Sequence, residues 1–209
     1  MISPIDIIGS LVYRTREALN KNTDFLVKIK NYRYYDLISD NGQFQLWHYP
    51  GTAEEISQRY MQMQDLESSF LKYPAVFNYQ NILQQSGITQ GCEDVFFNLA
   101  FVAPTCNDWG TETRKDKVFK LVLYDIYEEF FKQIKRCKHI LSTMGDIVRK
   151  KYDVYTTGQS VSKILEFQYC DYMDAIQIIN LRLSIKNICD RDIELIEEES
   201  NKVFGTIKI

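Results

Sequence analysis

Phe119, Leu123, Ile126, Phe130, Ile134, Cys137 and Leu141 recur at intervals of three or four. That period places all of them on one side of an α-helix, and a stripe this long needs a second layer to cover it. Thr113 with Asp116 supplies the N-terminal cap signature, and Gly145 or the basic Arg149-Lys150-Lys151 marks the far end. The rest of the chain must supply that layer.

Alternating runs provide it. Residues 70–79 read as a strand in which Pro74 argues for an edge or a strand start. Residues 95–103 are apolar at every odd position, and Pro104 to Gly110 forms the loop that ends them. After the long helix, Val161, Leu165, Phe167 and Tyr169 alternate with polar residues, and so do Ala175, Ile179, Leu181, Leu183 and Ile185. Cys170 to Asp174 joins these two runs as a hairpin does.

Ahead of the strands, Ser3, Pro4 and Asp6 mark a helix start, and Ile5, Ile8, Val12 and Leu19 continue it to about residue 20. Asn41-Gly42, between apolar-polar runs, predicts a hairpin from about 32 to 49 that Pro50-Gly51 breaks. Thr52-Ala53-Glu54-Glu55 is a capping box that opens a helix over about 53–67. Residues 25–67 therefore read as a hairpin-helix insertion.

The resulting fold class is α+β: an antiparallel or mixed sheet of about four core strands with two helices packed on one face. The domain spans 1–187 with its insertion at about 25–67. Residues 188–209 form an acidic connector and a C-terminal strand arm, in which 203–209 belongs either to the chain's own sheet or to a neighbour's. There is no internal repeat and no low-complexity tract.

A chain of 209 residues, 45% hydrophobic and 25% charged, is long enough to bury a core without a metal or disulfide staple. No apolar run reaches the roughly 20 residues that span a bilayer. The N-terminus lacks a basic start and a small-residue cleavage site, so no secretory leader is expected. Cys92, Cys106, Cys137, Cys170 and Cys189 form an odd set without a Cys-x-x-Cys pair, which predicts reduced thiols and assembly inside a cell. A net charge of -3 excludes a nucleic-acid polycation. The 14 Tyr and 12 Phe suit amphipathic surfaces that partners bury.

No residue is assigned as catalytic, cofactor-binding or metal-ligating. Cys137 and His139 are two apart, the wrong spacing for a chelate on a helix. His48, between Trp47 and Tyr49, reads as a surface or interface residue. Glu128-Glu129 and Glu197-Glu198-Glu199 read as solvated faces, and Asp171 and Asp174 as turn residues. Phosphate-cradling glycine loops, a nucleophile elbow and a zinc-binding H-E-x-x-H helix are absent, so the chain is not expected to be an enzyme. Lys28 to Tyr35 interleaves bases and aromatics as single-strand binders do, although an ordinary exposed strand does the same. Lys132, Lys135, Arg136, Lys138, Arg149, Lys150 and Lys151 complement a helix dipole at the end of the long stripe.

Four pieces in order carry a resemblance: Phe70 to Phe77, the apolar strand 95–103, Asn107 to Arg114 leading into Phe119 to Phe130, and Tyr172 to Leu181. Together they resemble the tail-terminator or tail-completion-like neck proteins of tailed bacteriophages, with the ring proteins of crAss-like phages a particular likeness. The insertion and the acidic tail depart from the compact family core, and Asp125 stands where the family pattern often has a proline. The resemblance implies a structural virion protein whose copies form a sixfold or twelvefold ring in the head-to-tail connector. Such a ring joins the portal or an adaptor ring to tail proteins, and packaged DNA passes through its lumen without sequence-specific binding. It implies assembly in the host cytoplasm, no cofactor and no membrane. A DNA-binding adaptor using the Lys/Tyr-rich strand is the alternative. The hairpin at 32–49 and the strand at 203–209 are the expected reach to neighbours. Trp109 is either a contact anchor or a filler of a core gap.

Overall fold

The computed structural model describes residues 2–32, 35–63, 69–87, 91–106, 108–144, 148–152, 172–186 and 188–204. Helix α1 (Pro4–Asn20) starts at the expected cap, where the Ser3 hydroxyl accepts a hydrogen bond from the Ile5 N–H and Pro4 fills the first turn. Ile8, Leu11, Val12 and Leu19 on its inner side are buried. At its end the Asn20 amide donates to the Phe44 carbonyl at 3.0 Å and accepts the Phe44 N–H at 2.8 Å.

The next segment departs from expectation. Lys28 does not begin an exposed strand; it lies in α2 (Thr23–Lys30), whose N-cap Asn22 accepts the Phe25 N–H at 3.1 Å. Phe25 and Ile29, four residues apart, both enter the core, and Phe25 meets Phe44 edge-on with ring centroids 4.9 Å apart. A helical apolar pair therefore outweighs the lysine alternation. The Asn41-Gly42 turn does form, with Gly42 at φ +77° and the Ser39 N–H donating to the Gln43 carbonyl at 2.9 Å. Among the described residues its ladder is a single bridge, Ile38 to Phe44, so no hairpin runs from 32 to 49. Strand β1 (Trp47–Gly51) instead pairs in parallel with β2 (Ala75–Ser86), and Pro50-Gly51 lies within it. Proline is tolerated there because β1 ends the strand order.

Helix α3 (Ala53–Gln62) opens on the predicted capping box: the Glu55 N–H donates to Thr52 Oγ1 at 3.2 Å, and the Thr52 N–H donates to Glu55 Oε2 at 2.7 Å. A 3-10 turn at Ser69–Leu71 precedes β2, so the strand begins after Pro74 and runs to Ser86. It returns antiparallel as β3 (Cys92–Pro104).

The long helix is continuous but not uniform: α4 (Thr111–Arg114), a π-helical stretch (Lys115–Leu123) and α5 (Tyr124–Arg136). Val118, Phe119, Val122, Leu123, Ile126, Phe130 and Ile134 are buried as the stripe requires. The helix stops short of Leu141, because Cys137 turns extended and Ile140 pairs with Ile185. Strands β4 (Ile140–Met144) and β5 (Val148–Tyr152) follow one another along the free edge of β6 (Met173–Lys186). Residues 145–151, expected to close the helix, thus include a strand. The strand predicted at 161–169 and the link at 170–171 lie outside the described residues.

The sheet is mixed, in the order β1-β2-β3-β6-β4, with β5 also on β6. Register shows what covers each face. Phe101 lies opposite Val76 and Ile176, and its ring sits 5.1 Å from that of Phe130 in α5. Ala100, one residue back, lies opposite Phe77, whose partner Tyr49 contacts Tyr60 of α3 at 5.2 Å. Neighbouring strand residues point to opposite faces, so α5 covers one side of the sheet and α3 the other. Two helices on one face, as expected, are joined by a third on the second face.

The pairing falters along a single transverse line. β2 and β3 slip between Tyr79 and Leu83, and β3 meets two residues of β6 where it offers only Asn98. There Asn180 takes φ +58° and its N–H donates to Asn98 Oδ1 at 3.0 Å. β4 stops at Met144, opposite Arg182, and β5 resumes at Val148, opposite Ile179. Aligned bulges bend a sheet locally; in the half past this line, here called the overhang, Val95, Phe97, Leu181 and Leu183 are buried on one face while Leu83 is exposed on the other.

The acidic tail is not a connector. It is helix α6 (Asp190–Asn201), packed on α1 with Arg14 Nε bonded to Glu199 Oε2 at 2.9 Å. Of the expected strand at 203–209, Phe204 makes a parallel bridge to His48 in the chain's own sheet, and 205–209 lie outside the described residues.

The α1–α6 contact depends on Gly9, because a Cβ there would lie 2.8 Å from the Ser200 Cβ. Gly9→Val is expected to lower stability by roughly 1–3 kcal/mol through overpacking. Ser200→Gly in the same chain should recover part of that loss, read as urea midpoints.

Candidate functional site

The features flagged in the sequence mostly turn inward. In the Lys28 to Tyr35 segment, Lys28 Nζ pairs with Asp125 Oδ2, tying α2 to α5. Tyr32 is buried, and the Tyr35 hydroxyl donates to the Thr105 carbonyl at 2.6 Å. Of the Lys/Tyr-rich strand on which a DNA-binding reading rested, Lys28 to Lys30 are thus helical, Tyr32 is buried and Tyr35 is half-buried, while residues 33–34 lie outside the described residues. Tyr49, Tyr60 and Tyr73 are also buried, packed around Phe77 and one another, so much of the tyrosine content is core.

Of the bases flagged toward the end of the long helix, Lys132, Arg136 and Lys138 have carboxylate partners. Glu129 accepts a hydrogen bond from Gln133 Nε2 at 2.6 Å and forms ion pairs with Lys132 at 3.4 Å and Arg136 at 3.5 Å. Lys138 pairs with Asp192 at 3.0 Å. His139 Nε2 lies 3.6 Å from the same Asp192 carboxyl, which also accepts the Cys189 thiol at 3.3 Å. Burial lowers the His139 pKa, with Asp192 pulling it the other way. Cys92, Cys106, Cys137 and Cys189 are free thiols. Among the described residues no group of three or more His, Cys, Asp or Glu side chains is placed to hold a metal ion.

Trp109 forms part of a clamped corner. Its carbonyl accepts Arg114 Nε at 2.8 Å, and its ring lies 4.6 Å from Lys117 Nζ, a cation–π distance. Arg114 also donates to the Cys106 carbonyl at 3.3 Å and meets Asp174 Oδ1 at 3.4 Å. Both charged side chains are buried, at 5% and 0% exposure. Asp174 is therefore an interior anchor and not a turn residue. Sequence reasoning missed the pair because it joins a helix start to a strand 60 residues on.

His48 is the second correction. It is not on the surface; it is fully buried in β1, on the face shared by Val76 and Asn78. Its backbone N–H donates to the Val203 carbonyl at 2.8 Å and its ring lies 5.6 Å from that of Phe204. Among the described residues neither ring nitrogen has a hydrogen-bond partner, and neither does the amide of buried Asn78. Desolvation, aided by the positive charge of Arg59, pushes the His48 pKa down to about 3.

The third feature lies on the overhang beyond the bulge line. On the α1 side of the sheet an apolar groove of about 250 Å³ is lined by Ile2, Pro4, Ile7, Val95, Ile185 and Ile188. Gln84, Glu93 and Lys186 edge it. On the opposite side Leu83 is 57% exposed, and its register partner Phe96 lies beneath Arg182, whose guanidinium is 5.9 Å from the ring. Arg182 is held by Asp94 at 2.6 Å, and Asp94 also accepts the Ser184 hydroxyl. Period-two alternation places Leu83 and Phe96 on one side and Val95 and Phe97 on the other, yet nothing in the sequence marks the first pair as uncovered.

The chain matches no protein-family model and no curated protein. Among the described residues no helix is long and apolar enough to cross a membrane.

Two outcomes follow from the buried polar groups. A histidine whose folded pKa is depressed takes up its proton preferentially when unfolded. The stability its neutral form supports is complete above about pH 6.5 and falls by about 1.4 kcal/mol per unit as pH drops toward 3. Urea midpoints from pH 7 to 4 should show that slope, and His48→Phe should flatten it. At the corner, Asp174→Ala should cost about 3–5 kcal/mol by stranding Arg114, whereas Arg114→Met with Asp174→Leu should recover most of it in thermal melts.

Proposed function

We propose that this chain is a structural virion protein whose copies close into a ring in the head-to-tail connector of a tailed bacteriophage, joining portal to tail around the DNA channel. Two lines of support meet here. The ordered resemblance of residues 70–186 to neck proteins supplies the place, and the overhanging half of the sheet supplies the means. That overhang is the observation that carries the assembly reading: four strands, β2, β3, β6 and β4, lie past the bulge line with an apolar groove on one face and an exposed leucine on the other. A chain with different unfinished surfaces on its two sides suits head-to-tail association, which ends when the rotation closes.

The charged groups fit a scaffold role. Arg114–Asp174, Arg182–Asp94 and Arg14–Glu199 each tie one element of the chain to another. In this reading DNA passes through the lumen without base-specific contacts, and the ring forms in the host cytoplasm before joining the virion neck. The ring has six or twelve copies.

Mass photometry and negative-stain class averages of the purified chain test this. A discrete species of six or twelve copies with a lumen wide enough for duplex DNA is expected. A chain that stays monomeric at micromolar concentration contradicts the reading.

A further inference from the structure

We infer that copies join edge to edge: the outer edge of β2 past the bulge line in one copy pairs antiparallel with β4 of the next. This rests on the ring reading above and names the surfaces that make the contact.

Register brings the two edges to one level. Residues 83–86 of β2 lie opposite 96–93 of β3, which lie opposite 182–185 of β6, which in turn meet 144–140 of β4. β1 pairs with β2 only from Ala75 to Tyr79, so among the described residues no strand lies beyond β2 or β4 at this level. The ladders also fix which backbone groups look outward. The Gly87 N–H donates to the Cys92 carbonyl at 3.0 Å, so alternation gives the N–H and C=O of Leu83 and Gln85 to β3 and turns those of Ser86 outward. The Lys186 N–H donates to the His139 carbonyl at 2.9 Å, and Ser142 and Met144 stand opposite Ser184 and Arg182. The same alternation therefore turns the Thr143 N–H and C=O away from β6.

Exposed sheet edges invite pairing unless they are guarded, and this sheet guards its others. β1 carries Pro50, and the chain's own end takes its outer side: the His48 N–H donates to the Val203 carbonyl at 2.8 Å, and Phe204 forms a parallel bridge. β5 holds Arg149, Lys150 and Lys151 within its five residues. By contrast, neither 83–86 nor Ile140–Met144 contains a charge or a proline. Each bears an exposed leucine, Leu83 at 57% and Leu141 at 46%.

A second copy is the occupant that completes both edges at once. β2, β3, β6 and β4 alternate in direction as an even set, so a copy in the same orientation sets its β4 antiparallel to this β2 and continues the alternation. A single extended peptide would fill one edge and leave the other bare. Strand addition takes its affinity from main-chain hydrogen bonds, and each copy offers one edge to each of two neighbours, the heterologous pattern that closes into a ring.

Edge variants test it. Ser86→Pro and Thr143→Pro each remove one outward N–H and leave the ladder to β3 or β6 paired, whereas Ser86→Ala and Thr143→Ala keep that N–H. Leu83→Lys and Leu141→Lys guard the same edges at exposed positions should a proline variant melt early, and circular dichroism establishes that each variant is folded. By mass photometry each proline or lysine variant alone is expected to be monomeric, and the alanine variants are expected to assemble as wild type does. An equimolar mixture of Leu83→Lys and Leu141→Lys is expected to give heterodimers and nothing larger, because each pair retains one intact joint. Folded proline and lysine variants that close rings overturn the joint and leave the ring reading intact. Alanine variants that fail as the proline variants do, or a mixture that stays monomeric, also overturn it. A wild-type chain that never assembles removes the ring reading and the joint with it, and leaves the two edges to a strand of another protein.

Discussion

The antiparallel pairing of β3 with β6, from Cys92 opposite Lys186 to Pro104 opposite Met173, is the constraint on which the molecule depends. Its covered half presents Leu99, Phe101 and Ile178 to the long helix, and edge-to-face packing of Phe101 on Phe130 and Tyr127 fixes where that helix lies. At the bulge, Asn180 in a left-handed conformation braced by Asn98 changes the local twist. The slip in β2 falls on the same line, so the irregularity belongs to the sheet and not to one strand. What lies past it is an overhang with two dissimilar faces, and the proposed function is built on that asymmetry.

Periodicity revealed much of this fold because burial enforces it. The α1 stripe, the capping box at Thr52 and Glu55, and the apolar positions of β3 read correctly because each is a local pattern with one good solution. The failures are tertiary. Lys28 to Tyr35 alternates like a strand, but Asn22 offers a cap and Phe25, Ile29 and Tyr32 offer a helical stripe, and packing on Phe44 decides between them. Cys137 to Leu141 continues the helical stripe on paper. In the fold, however, the backbone from Ile140 finds the β6 edge and leaves Leu141 exposed. The acidic run at 190–199 reads as a solvated connector because its apolar residues are few, yet Glu199 and Ser200 meet α1, with Gly9 making room.

The site was less legible than the fold. A lone histidine between two aromatics gives no sign that its ring nitrogens will be buried without partners, and an aspartate beside a turn gives no sign of an arginine 60 residues earlier. Both depend on long-range register. The groove has the same origin: Ile2 and Ile188 are ordinary apolar residues until α1 and the end of β6 bring them to one rim. By contrast, among the residues singled out in sequence, Lys28, Lys132, Arg136 and Lys138 are engaged in ion pairs within the chain and Tyr32 is in the core.

The central claim is that copies meet through the part of the sheet beyond the bulge line. Hydrogen–deuterium exchange of the assembled chain against the same chain diluted to monomers measures it directly. The account predicts new backbone protection concentrated in residues 83–86 and 140–144, with α2, α3 and the Arg114–Asp174 corner unchanged. Protection confined to that corner or to α3, with the overhang exchanging equally in both states, would contradict it.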